Sequence, residues 1–243
     1  MRREALSGLS TIITGGTDRE GGGDGPLVVL LHGFGAPGDD LVPLFRQLDV
    51  PREVRFAFPA APVDLRATLG AAYAGGRAWW MIDPASLEAA MRGGERPDRS
   101  RLVPDGLVEA RAAVVGFLAE LETLLGARRE RTVLGGFSQG AILTMDVALR
   151  ERQGFAGLAL MSGSIVAFDE WSPLLPNLAG AKVMQAHGRA DPLLPFATAE
   201  RLRDLLRETG TDVRWVEFAG GHTITGSVLE ELGRLVRDVA AGC

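Results

Sequence analysis

Ser138 is the central residue of the stretch GFSQG (residues 136–140), which lies between an apolar run and a helical pattern. In this G-x-S-x-G arrangement the serine occupies a sharp strand-to-helix turn. The residues two before and two after it crowd each other there, so glycine is favoured at both positions. The turn lifts the hydroxyl clear of the sheet, and the following helix offers unpaired N–H groups to developing negative charge. The pattern indicates a nucleophilic serine; a serine in an ordinary glycine-rich turn is the alternative.

A serine hydroxyl is a weak nucleophile at neutral pH and needs a general base. The chain has three histidines, His32, His187 and His222. His222 follows the last predicted strand, on a loop at the carboxyl edge of the predicted sheet, where this architecture places functional groups. We therefore predict His222 as the base, with a helix cap or a surface histidine as the alternative. A structural role is favoured for His187, at the end of an earlier predicted strand.

A third group must orient the base, and Asp191 is the candidate. It lies in the loop after the predicted strand that ends at residue 188, although an Asp-Pro pair is also a common turn former. Asp212 and Glu217 are weaker rivals, because neither is predicted at the carboxyl edge of a strand. Ser138, Asp191 and His222 follow the chain order of the α/β-hydrolase triad.

The stretch LLHGFGAPGDD (residues 30–40) has two interpretations. Its three glycines spell G-x-G-x-x-G, as in a dinucleotide-binding turn, but the next predicted strand lacks the acid that would hold a ribose. The two aspartates that end the stretch would also repel a pyrophosphate. The stretch is therefore predicted to supply an oxyanion-binding amide, that of Phe34. The amide of Gln139, the residue after the nucleophile, is the predicted second donor.

Short apolar runs alternate with helical patterns along the chain, which is typical of a mostly parallel sheet with helices on both faces. The predicted strands cover residues 26–32, 53–62, 131–137, 155–163, 181–188 and 212–220. The predicted helices cover residues 39–48, 107–125, 139–154, 196–210 and 224–240. Residues 63–104 are less regular, with Asp83 as the predicted cap of a short helix that begins at Pro84.

Length and composition fit one α/β domain over residues 1–243, with 46% hydrophobic residues and 23% charged residues. The formal net charge of −5 argues against a nucleic-acid backbone as partner, because the arginines are interleaved with acidic residues and form no basic field. No apolar run has the length of a membrane span, and the N-terminal stretch does not resemble a signal peptide. The single cysteine, Cys243, excludes an internal disulfide. We therefore expect a cytoplasmic protein.

Five stretches together resemble the phospholipase/carboxylesterase family, which includes acyl-protein thioesterases. In chain order they are LLHGFGAPGDD, GGRAWW, GGFSQGA, HGRADPLLP and GGH, between about residues 26 and 222. The resemblance implies a lidless α/β-hydrolase fold and a Ser138, Asp191 and His222 triad. It also implies an oxyanion hole formed by the Phe34 and Gln139 amides.

The resemblance further implies that Trp79, Trp80 and Leu193 lie near the acyl site; core packing is the alternative for the tryptophans. Many members carry phenylalanine or tyrosine where Trp80 stands, and residues 81–104 are longer than in the thioesterases. Both departures bear on acyl preference. An apolar groove around the tryptophans could also form a homodimer.

The function expected from the sequence is hydrolysis of a small-molecule carboxylic ester with a short to medium acyl chain, without a metal or organic cofactor. The histidines show no helical H-E-x-x-H spacing for a metal. An acyl-protein thioesterase or a lysophospholipase would use the same residues. A binding protein on a hydrolase scaffold is the alternative from another class.

Overall fold

A computed structural model of the chain describes residues 1–92, 98–151 and 154–242. The strands are β1 (Arg2–Leu6), β2 (Leu9–Gly15), β3 (Leu27–Leu31), β4 (Arg55–Pro59), β5 (Val63–Asp64), β6 (Arg77–Ala78), β7 (Thr132–Phe137), β8 (Gly157–Met161), β9 (Lys182–Gly188) and β10 (Asp212–Phe218). The α-helices are α1 (Leu65–Leu69), α2 (Pro84–Met91), α3 (Leu107–Leu125), α4 (Gln139–Arg150), α5 (Phe168–Trp171), α6 (Phe196–Glu208) and α7 (Gly226–Ala241). Short 3₁₀ helices cover Val42–Arg46, Ala71–Tyr73, Arg129–Arg131 and Ser172–Leu178.

Eight of these strands form one sheet in the order β1-β2-β4-β3-β7-β8-β9-β10. The β1–β2 and β2–β4 pairs are antiparallel, and the remaining pairs are parallel. The order of the strands along the sheet reverses at β3, which lies between β4 and β7. Ligands of such sheets bind outside the carboxyl ends of the strands near the point of reversal.

The sheet is buried on both faces, as β3 shows most clearly. Successive side chains of a strand point to opposite faces. Leu27, Val29 and Leu31 belong to a core cluster shared with α3, α4 and α6. Val28 and Leu30 belong to a second cluster, shared with α7 and the first 3₁₀ helix. The helices therefore cover both faces, and the mostly parallel α/β-hydrolase architecture expected from the sequence is confirmed.

The longest predicted helix, residues 107–125, is confirmed by α3, and Gly126 ends it in the left-handed conformation with a φ of 58°. The prediction of an α-helix over residues 39–48 is wrong. The chain forms only a short 3₁₀ helix there, Val42–Arg46, with a proline at its start. The helix predicted to end at residue 154 stops at Arg150. Residues 152–153 lie outside the described residues.

Of two further structured regions, the sequence did not predict the first and predicted the second only in part. The N-terminal segment forms the β1–β2 hairpin at one edge of the sheet. Residues 63–104 contain the small β5–β6 sheet and helices α1 and α2. The predicted cap of α2 is confirmed, since Asp83 accepts hydrogen bonds from the backbone N–H groups of Ala85 and Ser86. Residues 93–97 of this section, and Cys243, lie outside the described residues.

None of the helices in the described ranges is both long and apolar enough to cross a membrane.

Gly126 provides a test of the end of α3. A Cβ there would meet no atom within 4 Å, so the cost of Gly126→Ala comes from the left-handed backbone conformation alone. We expect this substitution to lower the free energy of unfolding by about 1 kcal/mol. Gly226→Ala is the matched control, because a Cβ there is equally unobstructed and the φ is ordinary. Urea unfolding should show no loss for G226A; equal losses in both variants would contradict this account of the turn.

Candidate active site

Ser138 lies in a strained turn between β7 and α4, with a φ of 57° and a ψ of −117°. Non-glycine residues rarely adopt a positive φ, and such strain is typical of functional positions. A Cβ on Gly140 would lie 2.0 Å from the Leu31 carbonyl oxygen, and one on Gly136 would lie 2.4 Å from the Gly140 carbonyl carbon. The glycine requirement inferred from the sequence is therefore a direct consequence of backbone crowding.

Asp191 and His222 form a buried hydrogen-bonded pair. The distance between Asp191 Oδ2 and His222 Nδ1 is 2.7 Å, and the Asp191 side chain is fully buried. Its other oxygen, Oδ1, accepts hydrogen bonds from the backbone N–H groups of Leu193 (2.8 Å) and Leu194 (2.9 Å). Burial alone would raise the pKa of Asp191, but the His222 bond and charge and the two backbone donors lower it below its usual value. The carboxylate is therefore ionised at neutral pH.

The loops that carry Asp191 and His222 extend the pairing of β9 and β10 beyond the ends of the strands. The Arg189 N–H donates to the Phe218 carbonyl at 2.8 Å, and the Ala190 N–H donates to the Gly220 carbonyl at 3.0 Å. This backbone ladder holds the acid and the base in register.

The His222 ring lies close to the residue that precedes the serine. Its ring centroid lies 4.8 Å from that of Phe137, the residue before Ser138, and both His222 and Ser138 line the same cavity. The Ser138 N–H donates to the Met161 carbonyl at 2.9 Å, which attaches the turn to the end of β8. The structure thus places the three residues predicted for the triad at the carboxyl edge of the sheet, with Asp191 bonded to His222 and with Ser138 and His222 on one cavity.

The cavity has a volume of about 980 Å³. Apolar side chains that line it include Trp80, Ile82, Leu87, Val103, Ile165 and Leu193. Asp40 also lines it, and desolvation raises the pKa of this partly accessible carboxyl to about 6. At neutral pH most of this carboxyl is ionised, and its charge opposes a pyrophosphate at the end of the stretch of residues 30–40, as the sequence indicated.

Phe34 and Gln139, the predicted oxyanion donors, both line the cavity. Gln139 is the first residue of α4, where backbone N–H groups have no acceptor within the helix. A Cβ on Gly33 would lie 3.3 Å from the Ser138 Cβ, so the loop before Phe34 packs directly against the turn of the serine.

The residues predicted to bind the substrate divide into two groups. Trp80 and Leu193 line the cavity. Trp79 is not among its lining residues; it is buried behind the wall, with its indole N–H 2.9 Å from the His32 carbonyl oxygen. Trp79 and Trp80 are only 2% and 4% exposed, so they do not form the exposed groove considered for a homodimer.

His187 has the structural position expected of it. Its Nε2 donates to the Leu194 carbonyl at 2.9 Å and lies 3.4 Å from Asp191 Oδ2, while burial lowers the pKa of the imidazole. A neutral His187 therefore supports the Asp191 loop. The rival acid Glu217 lies closer to the end of β10 than predicted, but it pairs with Arg189 at 2.6 Å.

Elsewhere, a smaller cavity of about 360 Å³ lies at the opposite edge of the sheet, near the starts of β7, β8 and β9. It contains none of the predicted site residues. In the described ranges, no group of three histidine, cysteine or acidic side chains is arranged to hold a metal ion.

Three comparisons connect this geometry to known proteins. The chain is similar to acyl-protein thioesterase 1 of Neurospora crassa, with 29% identity over 213 residues that cover 84% of this chain and 82% of that protein. It is also similar to the crystal structure of esterase PE8, with a TM-score of 0.79 and 28% identity over 95% of this chain and 99% of that one. The crystal structure of the Bacillus cereus carboxylesterase is 20% identical, with a TM-score of 0.69. The match covers 95% of this chain and 94% of that one, and the two share the fold.

A family model described as Phospholipase/Carboxylesterase matches residues 21–238. The match includes all the residues predicted for the triad, the oxyanion hole and the acyl site. Its extent, together with the fold described above, shows that the chain belongs to the phospholipase/carboxylesterase family.

Proposed function

We propose that this protein is a serine carboxylesterase that hydrolyses carboxylic esters with short to medium acyl chains. The observation that carries the proposal is the shared cavity of Ser138 and His222, the latter bonded to a buried and ionised Asp191. A strained nucleophile, a base and an orienting acid are the parts that acyl transfer requires. Membership of a family of ester hydrolases supports the same reaction.

In the acylation step, Ser138 Oγ attacks the carbonyl carbon of the ester, and its proton passes to His222 Nε2. Nδ1 of the imidazole is bonded to Asp191, which leaves Nε2 for this task. Asp191 fixes the tautomer and stabilises the imidazolium that forms. The Phe34 and Gln139 amides hold the negative charge on the carbonyl oxygen.

Collapse of the tetrahedral intermediate breaks the bond to the alcohol, which leaves with the proton of His222. Water then attacks the acyl-enzyme with His222 again as the base, and the acid product is released. Every proton transfer uses side chains already described, so the cycle requires no cofactor.

The wall of the cavity supports an uncharged acyl chain as the group bound. Trp80, Ile165 and Leu193 offer apolar surface close to the reacting groups. The volume of about 980 Å³ lies at the upper end of the range for small-molecule sites, roughly 300–1,000 Å³, so it has room for both an acyl chain and an alcohol.

Thioester hydrolysis is the second candidate function, and the similarity to an acyl-protein thioesterase supports it. The same residues would act on a thioester, with a thiol as the leaving group. A binding protein without turnover is disfavoured, because ligand binding alone has no need of a strained serine next to a buried acid and base.

Replacing the nucleophile tests the reaction directly. We expect Ser138→Ala to lower kcat/KM on p-nitrophenyl esters by roughly 10³-fold or more, because no hydroxyl remains to form the acyl-enzyme. Ser172→Ala is the control and should retain activity, since Ser172 begins a 3₁₀ helix and is not among the residues that line the cavity. An organophosphonate should add its mass to the wild type and not to S138A. Full activity or full labelling in S138A would rule out the proposed nucleophile.

Asp191→Asn keeps the shape of the acid and removes its charge. We expect kcat/KM to fall by about 10³- to 10⁴-fold, because the imidazole is no longer held in the productive tautomer. Asp212→Asn is the control, since Asp212 begins β10 at the opposite edge of the sheet. Comparable losses in the two variants would contradict the assignment of Asp191.

The lowered pKa of Asp191 adds a pH dependence to the D191N comparison. A carboxyl whose folded-state pKa lies below the unfolded value, about 3.9, stabilises the fold at higher pH and loses this contribution as the pH falls through the folded-state value. The difference in free energy of unfolding between wild type and D191N should therefore be largest near neutral pH and shrink below about pH 4. A difference that is constant between pH 7 and pH 3 would exclude this coupling.

Substrate preference separates the two candidate reactions. Rates on matched oxygen esters and thioesters, from acetyl to palmitoyl, should favour the oxygen esters and decline once the acyl chain outgrows the cavity. A lysophospholipid with the same acyl chain tests the related lipid reaction. Higher kcat/KM on the thioester or the lysophospholipid would move the assignment to the corresponding activity while leaving the nucleophile unchanged.

A further inference from the structure

Residues Arg77–Trp80 connect the two loops that carry the proposed oxyanion donors. The Gly35 N–H donates to the Arg77 carbonyl at 2.9 Å, and the Arg77 N–H donates to the Ala36 carbonyl at 3.0 Å. These two bonds attach the segment just after Phe34 to β6, which leads directly into Trp79 and Trp80.

Trp79 makes the second attachment, just before Phe34. Its indole N–H donates to the His32 carbonyl at 2.9 Å. The His32 imidazole is itself fixed, because Nε2 accepts the Ala61 N–H at 2.9 Å and the protonated Nδ1 donates to the Gly33 carbonyl at 2.8 Å. Burial lowers the pKa of His32, which agrees with a neutral ring in this position.

The Gln139 side chain makes the third attachment, from the opposite loop. Its Oε1 accepts the Trp79 N–H at 2.9 Å, and its Nε2 donates to the Trp80 carbonyl at 2.8 Å. The Gln139 residue is 1% exposed. The residue whose backbone is the proposed second donor is thus bound through its side chain to the segment that holds the first.

We infer that Trp79 and the Gln139 side chain are positioning residues that fix the spacing between the Phe34 and Gln139 amides. The inference rests on the proposed function. The link runs from Gln139 through the backbone and indole of Trp79 to the carbonyl of His32, two residues before Phe34. Amide donors stabilise an oxyanion only within about 2.7–3.1 Å of it, so a small change in their spacing weakens the transition state. Substrate binding, which depends on the apolar wall, is affected much less.

Core packing alone would also bury a tryptophan, and Trp79 does belong to a core cluster. Packing, however, does not account for the two hydrogen bonds of Trp79. Its indole N–H bonds the loop before Phe34, and its backbone N–H bonds the side chain of Gln139. The two explanations predict different kinetics, because loss of packing lowers stability whereas loss of spacing lowers kcat.

The test uses Trp79→Phe and Gln139→Met in the 243-residue chain. The first keeps an aromatic ring without the indole N–H, and the second keeps the chain length and the backbone amide without the side-chain bonds. We expect each to lower kcat on a p-nitrophenyl ester by about 10-fold, with KM changed by less than about twofold. Because both act through one link, the double variant should lose less than the product of the single losses.

A trifluoromethyl ketone provides a readout that packing would not change. Addition of Ser138 Oγ to its carbonyl carbon transfers the hydroxyl proton to His222 and leaves an oxyanion between the two amides. Affinity for this ketone should fall in parallel with kcat/KM in both variants. The pH profile should keep its shape, since the acid and the base are untouched.

Trp171→Phe is the matched control. Trp171 is equally buried, and its indole N–H donates to Asp146 Oδ1 at 2.8 Å, but it lies in α5 and does not line the cavity. We expect W171F to lose stability in thermal unfolding while keeping kcat and ketone affinity.

Three results would overturn the inference. Unchanged kcat in both W79F and Q139M would contradict a positioning role. A raised KM with unchanged kcat would instead show that these residues contribute to substrate binding. Failure of both variants to fold would assign them a purely structural role. Absence of ester hydrolysis in the wild type would contradict the proposed function instead, and so the two failures are distinguishable.

Discussion

The contact between the end of β3 and the turn around Ser138 is the constraint on which the site depends. The Leu31 carbonyl approaches Gly140 so closely that a Cβ there would lie 2.0 Å from its oxygen. The same turn holds Ser138 at a φ of 57° and sets the start of α4 beside the loop that follows β3. Backbone packing within the sheet therefore places the turn of Ser138 beside the loop after β3, and the side-chain bonds of Trp79 and Gln139 act within that frame.

The acid and the base depend on the same sheet through a different mechanism. Pairing of β9 with β10 continues into the Asp191 and His222 loops, which brings a carboxylate into a fully buried position. Burying a charge is costly unless it is hydrogen-bonded, and here an imidazole and two backbone N–H groups provide the bonds. These bonds and the charge of His222 outweigh the desolvation, so the pKa of Asp191 lies below its usual value.

Sequence reasoning identified the features that follow from local chemistry. Ser138, Asp191 and His222 were predicted because each follows an apolar strand, and parallel strands bring their carboxyl ends to one edge, where the structure places all three. The β1–β2 hairpin was missed, because its short strands are partly exposed and its pairing with β4 is not local in sequence. The structural role of Trp79 was equally inaccessible, since its bonds to residues 47 and 60 positions away follow only from the three-dimensional fold.

Chemistry and substrate recognition are assigned to different parts of the chain. The groups proposed to react lie at strand ends whose positions are determined by the sheet. The wall of the cavity comes largely from α2, the segment near Val103 and the start of α6, which pack around that edge. Trp80 and many of the described residues between Met81 and Pro104, the section expected from the sequence to bear on acyl preference, belong to this wall. Changes there alter the space available to an acyl chain without moving the backbone that positions Ser138, so substrate range can vary while the reaction is retained.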